Sequence, residues 1–188
     1  MHGRDGIEVV AVASNKPRAP ALDRARRAGI ATAAFERGSD GDREARDARM
    51  AEWLDELELD LIVMAGYLEL LAPAFVARFP TRIVNLHPAL LPCFPGLDAI
   101  ERALEHGVKV TGVTVHFVDE GMDTGPIIVQ RPVEVPQPPE LAELERRLHA
   151  VEHELLPEAI RLIAAGRVRI DQRNPRLVTV DGAAGRVT

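Results

Sequence analysis

A single cysteine in 188 residues excludes an internal disulfide, and Cys93 as a lone thiol fits a reducing compartment. Aromatic side chains are scarce at 4 %, which leaves the core to Ala, Val, Leu and Ile. No apolar run reaches the ~20 residues that span a bilayer. The opening Met1-His2-Gly3-Arg4-Asp5-Gly6 has no apolar stretch of the signal-peptide kind, so a cytoplasmic chain without membrane contact is expected. Basic stripes are missing too, and the net charge is −6. Nucleic acid is therefore not an expected partner, because neutralising phosphates takes clustered Lys and Arg. With no internal repeat or low-complexity tract, residues 1–188 read as one domain acting on a small molecule.

What is present is a globular composition, 46 % apolar and 28 % charged, arranged in alternation. Strand-like runs at residues 7–14, 30–35, 60–65 and 82–87 alternate with helical patterns at 19–28, 42–57, 71–79 and 97–106. Asp42 stands near the start of the second helix, Pro73 in the first turn of the third, and Gly29 stops the first. After Gly107 the pattern changes: residues 110–118 and 127–135 flank an acidic turn and suit at least one antiparallel pairing. A long helix over 140–165 containing Pro157 follows, then short strand patterns at 167–170 and 177–180. This is the signature of an α/β fold with a doubly wound, mostly parallel sheet.

In such sheets ligands bind beyond the carboxyl ends of the strands. The run Arg82-Ile83-Val84-Asn85-Leu86-His87 ends there at Pro88, and period-two alternation turns Asn85 and His87 to one face. The turn Asp119-Glu120-Gly121-Met122-Asp123-Thr124-Gly125-Pro126 adds a carboxylate. Taken singly, His87 is more simply a capping or core histidine, Asn85 a strand-end residue and Asp123 an Asx-turn residue. Together they make an acyl-transfer set. Gly66 and the loop Tyr67-Leu68-Glu69-Leu70-Leu71 follow the neighbouring strand and are expected to border the same crevice. His106, His116 and His149 lack metal-ligand spacing and are read as surface or core histidines, so no metal is expected. The charges over residues 42–58 read as a solvated helix face.

The segments Asn85-Leu86-His87-Pro88-Ala89-Leu90-Leu91-Pro92, Phe94-Pro95-Gly96 and Asp119 to Pro126 resemble those of the folate-dependent formyltransferases. Val12-Ala13-Ser14-Asn15-Lys16, Met64-Ala65-Gly66-Tyr67 and Glu152-His153 extend the likeness over roughly residues 8 to 168, with 169–188 as a C-terminal tail. The resemblance, strongest to the branch that serves purine biosynthesis, implies a Rossmann-like fold. It implies transfer of the formyl group of 10-formyltetrahydrofolate to the amine of glycinamide ribonucleotide, with no metal, by a monomer or homodimer. The catalytic positions it implies are Asn85, His87 and Asp123. Its folate positions fall on Arg43, Leu68, Glu69, Leu70, Leu71, Asn85, Asp119, Glu120, Gly121, Met122 and Asp123. Its ribonucleotide positions fall on His149, Ala150, Val151 and Glu152. Asp123 is expected to favour the charged imidazole of His87 and so raise its pKa.

Three departures stand out. The family usually has Arg where Glu69 stands, which loses or reverses a contact to an anionic ligand, and histidines where Asp98 and Ile100 stand. The family's first strand and its phosphate-binding loop have no counterpart, so the fold is expected to be truncated at its N-terminus. The alternatives left open are a hydrolase releasing formate from the same folate and an inactive folate-binding remnant. A tRNA-directed relative is disfavoured by the absence of a basic tail.

Overall fold

In a computed structural model the described residues are 3, 5–36 and 42–182. They fall into two compact units. One holds the described residues up to Val63 together with Tyr67–Ile83, and the other holds Met64–Gly66 and the described residues from Val84 onward. No helix among the described residues is long and apolar enough to cross a membrane.

The first unit opens with a βαβ turn of chain. Strand β1 (Ala11–Ser14) and strand β2 (Ala31–Ala34) pair in parallel from Ala11↔Ala31 to Ser14↔Ala34. A parallel pair needs a crossover, and helix α1 (Pro20–Arg27) supplies it. Pro20 pre-sets the first helical φ, and Leu22 and Ala25, one turn apart, are its buried residues. Helix α2 (Arg43–Asp55) starts where Asp42 accepts hydrogen bonds from the backbone N–H of Glu44 (2.8 Å) and Ala45 (3.1 Å). Strand β3 (Ile62–Met64) and helix α3 (Pro73–Arg78) follow. Asp47 Oδ2 accepts the N–H of Ala72, the residue capping α3, at 2.7 Å. Phe75 and Phe79 pack ring to ring beneath it.

The second unit is built on a meander. Strand β4 (Ile83–His87), strand β5 (Val110–Phe117) and strand β6 (Ile127–Glu134) pair antiparallel in sequence order. Helix α4 (Ala99–Glu105) lies between β4 and β5 in the chain, and helix α5 (Leu141–Ala164) packs on β5 and β6. Its buried residues Leu144, Leu148, Leu155, Ala159 and Leu162 recur at helical spacing. Each fully buried Leu is worth about 1.5–3 kcal/mol, so this stripe fixes the helix against the sheet. A short hairpin of β7 (Val168–Ile170) and β8 (Val178–Val180) ends the described chain. The α/β class and the switch to antiparallel pairing past Gly107 are as the sequence predicts.

Candidate active site

The geometry starts with the register of β4 on β5. Asn85 lies opposite His116, and His87 opposite Thr114. Directly opposed residues share a face of the sheet, so His116 joins Asn85 and His87. Asn85 Nδ2 lies 3.3 Å from His116 Nε2 and donates to Asp123 Oδ1 at 3.4 Å. His87 Nδ1 is 3.4 Å from Asp123 Oδ2, and His116 Nε2 is 3.6 Å from Asp123 Oδ1. The three residues expected to act together are brought together. His116, read from sequence as a surface or core residue, is both buried and part of the cluster.

Two loops hold Asp123 and His87 in place. Asp119 Oδ1 accepts from Gly121 N–H (3.1 Å) and Thr124 Oγ1–H (2.7 Å), so this carboxylate closes the turn that carries Asp123. A Cβ at Gly125 would stand 1.9 Å from Phe117 O, which leaves room only for glycine. The loop after β4 is pinned by Thr114, whose Oγ1 donates to Ala89 O (2.6 Å) and accepts from Leu91 N–H (3.1 Å) and Gln130 Nε2–H (2.9 Å). Further along, His87 Nε2 meets Phe94 O at 2.9 Å and Gly96 N–H donates to Asp123 Oδ2 at 2.7 Å.

These partners set the protons. A carbonyl only accepts, so His87 carries its hydrogen on Nε2 and His116, with Nδ1 2.8 Å from Phe117 O, on Nδ1. Both ring nitrogens of His87 face acceptors, and only the cation satisfies both. Burial nevertheless lowers the His87 pKa, outweighing the opposing charge of Asp123 and the bond to Phe94, while His116 and Arg102 add to the lowering. The expected rise is thus reversed, because a ring 4 % exposed loses more hydration than one carboxylate returns. Burial works against the Asp123 charge as well. Contact with His116, the Gly96 N–H and the field of His87 overcome it and hold the carboxyl at about 2.

The remaining expected positions divide between the units. In the first, Arg43 opens α2, Leu68 and Leu70 are exposed and Leu71 is buried. Glu69 is committed: Oε1 accepts from Asn15 Nδ2 at 2.5 Å, and Oε2 is ion-paired with Arg46. Arg46 and Asp47 are themselves buried, at 0 and 1 % exposure, against the expectation of a solvated face. Their charges compensate across 2.7 Å, with Tyr67 beneath the guanidinium. In the second unit Asp119, Glu120, Gly121, Met122 and Asp123 form the turn described above, and Met122 is exposed. His149 and Glu152 sit one turn apart on α5, with Nε2 and Oε2 3.9 Å apart. Burial raises the Glu152 pKa although His149 and His153 oppose it. Ala150 is exposed and Val151 half-buried.

An amide, two imidazoles and an ionised carboxylate gathered in this way can donate to an oxygen and move a proton, and the sequence profile described as formyl transferase matches residues 2–160. The chain belongs to the formyl transferase family. It is 42 % identical over 147 residues to the phosphoribosylglycinamide formyltransferase of Bacillus subtilis (strain 168), covering 78 % of this chain and 75 % of that protein. The crystal structure of glycinamide ribonucleotide transformylase 1 from Symbiobacterium toebii superimposes with a TM-score of 0.86 at 46 % identity, covering 92 % of this chain and 80 % of that one. A formyltetrahydrofolate deformylase from Pseudomonas syringae pv. tomato str. DC3000 shares the fold at a TM-score of 0.83, but at 25 % identity and over 56 % of its own chain. The mixed α/β fold of this formyl transferase is that of the transformylase structures.

Proposed function

We propose that this chain transfers the formyl group of 10-formyltetrahydrofolate to the amine of glycinamide ribonucleotide. The observation that carries the reading is the convergence of Asn85, His87, His116 and an ionised Asp123 at one place in a formyl transferase fold. The substrate assignment rests on the transformylase relatives, which are closer in identity than the deformylase and are matched over more of their own length. In the reaction the amine nitrogen bonds to the formyl carbon, charge gathers on the formyl oxygen, and the bond from that carbon to the folate nitrogen breaks. One proton leaves the amine and one arrives on the folate.

Asn85 is the donor to the forming oxyanion. Its N–H groups rest on His116 and Asp123 at 3.3 and 3.4 Å, long contacts that a strong anionic acceptor replaces at little cost. Preorganised donors of this kind are worth roughly 2.7–4 kcal/mol each. His87, its Nε2–H held by Phe94 O, takes on Nδ1 beside Asp123 the proton that leaves the amine and delivers it to the leaving nitrogen. Asp123 holds the cation formed in between, directly or through a water carrying the proton. Glu152, half-buried and raised in pKa, is the group we assign to orienting the ribonucleotide amine.

The test is turnover of this chain with both substrates, following release of the deformylated folate. Turnover dependent on the ribonucleotide amine is the expected result. Formate release without the amine would replace the reading with a hydrolase, and ligand binding without any turnover would replace it with a folate-binding remnant.

A further inference from the structure

One short segment, outside every helix and strand, supplies both backbone groups that hold the reacting side chains. Phe94 contributes the carbonyl that takes the Nε2–H of His87, and Gly96 the N–H that binds Asp123 Oδ2. Its backbone is unusual: Phe94, Gly96 and Asp98 all have positive φ, at 53, 82 and 55°. For Phe94 and Asp98 that region is sparsely populated, and such residues persist only where their surroundings over-determine them.

The over-determination comes from Arg102 on α4. Its Nη1 donates to Pro95 O at 2.6 Å and to Leu97 O at 3.1 Å, using both of that nitrogen's hydrogens. Its guanidinium carbon lies 5.8 Å from the centre of the Phe94 ring, whose edge-to-face neighbour is His106 at 5.8 Å. The three contacts fall on Phe94, Pro95 and Leu97 and so bracket Gly96. A planar fork that hydrogen-bonds two carbonyls and covers a ring is a task lysine's point charge does not reproduce.

We propose that Arg102 is a positioning residue for formyl transfer, clamping the segment from Phe94 to Leu97 so that Phe94 O sets the tautomer of His87 and Gly96 N–H sets the Asp123 carboxylate. The role rests on the reading of His87 and Asp123 as reacting groups. Arg102 itself touches neither. The charged or titratable groups that bear on His87 are Asp123 from the turn after β5, His116 from β5 and Arg102 from α4.

Two variants separate the clamp from the charge. Arg102→Lys keeps the charge and loses the fork, whereas Arg102→Met loses both. In each, kcat is expected to fall about tenfold or more, with KM for both substrates within about twofold, since small misplacements of reacting groups act on the chemical step. The discriminating measurement is the His87 titration, followed by NMR on the free protein. With Arg102→Lys it is expected to move further down, because the Phe94 bond that favours the charged ring loosens while the surrounding charges stay. With Arg102→Met it moves down less, because a repelling charge has gone as well. A purely structural role would lower Tm, leave the titration of folded molecules where it was in Arg102→Lys, and move it up in Arg102→Met, where only the repelling charge is lost. Wild-type kcat, with the titration unmoved in Arg102→Lys and raised in Arg102→Met, would overturn the clamp. The titration needs no turnover, so an unaltered chain that fails to transfer formyl would count against the reaction and not against this assignment.

Discussion

Asp123→Asn is the substitution on which the acid–base argument depends. At the 3.4 Å between His87 Nδ1 and Asp123 Oδ2, two unit charges attract by about 5 kcal/mol at an effective dielectric of ~20. This attraction is the main force opposing burial, which already leaves the His87 pKa below its ordinary value. Removing it drives His87 further toward the neutral form. The new amide also changes the contacts of the cluster. With its oxygen in the place of Oδ2 to accept from Gly96 N–H, its NH₂ stands where Oδ1 accepted from Asn85 and faces His116 Nε2. A loss of general acid catalysis is worth about 10²–10⁴-fold, so kcat at neutral pH is expected to fall by about 10²-fold or more.

The same change has a stability signature. Folding moves the Asp123 carboxyl from 3.8 to about 2, which corresponds to about 2 kcal/mol. Because the folded value is the lower one, this contribution is complete above 3.8 and disappears as the pH falls through about 2. Urea unfolding should therefore find the variant weaker than wild type at pH 7, with the gap closing in acid. The rate assay is the pH profile of kcat/KM alongside NMR titration of His87. An unchanged profile together with an unmoved His87 titration would refute the role given to Asp123.

His116→Phe keeps the ring and removes both nitrogens, leaving one Asn85 N–H and the Phe117 carbonyl without their partner. Unfolding free energy is expected to drop by about 1–3 kcal/mol, and kcat to fall with it as Asn85 is freed to rotate; urea titration and steady-state kinetics check the two halves. Arg46→Met removes the cation that pairs with the buried Asp47, at a site where the arginine is itself fully buried. Removal of one partner of such a pair costs about 3–5 kcal/mol, read as a shift in the urea midpoint, and a change within ±0.5 kcal/mol would show that the pair is not buried in solution.

Local chemistry explains which parts of the molecule can be read from sequence. Asp42 and Pro73 mark helix starts by their own hydrogen-bonding and φ preferences, and they do so in the structure. Asn85 and His87 are legible because period-two spacing within one strand decides their common face. The role of His116 depends on a different fact, the register of β5 on β4, which no spacing within either strand encodes. A strand reading of residues 110–118 combined with an antiparallel pairing to 82–87 would have been the signal. Arg102 is hidden for a similar reason: its partners are backbone carbonyls, which every sequence has.

Charge is where sequence reasoning is weakest, since it sees the sign of a residue and not its hydration. His87 illustrates one direction: a neighbouring carboxylate raises a pKa only if it outweighs burial, and here it does not. Glu69 illustrates the other. Read along the chain, a carboxylate in place of the family's usual arginine reverses the charge offered to an anionic ligand. In the folded unit that carboxylate accepts from Asn15 and is paired with Arg46, whose own charge is shared with Asp47. Burial works against the Arg46 charge, and its hydrogen bonds to Asp47 and Glu69 with the field of Tyr67 override that and hold it on the guanidinium. The field of Glu69 is thus largely cancelled within its own network before any ligand arrives. A substitution that looks like a repulsive contact is in this chain half of an ion pair, and it ties the loop from Tyr67 to Leu71 to Asn15 and to Arg46 of α2.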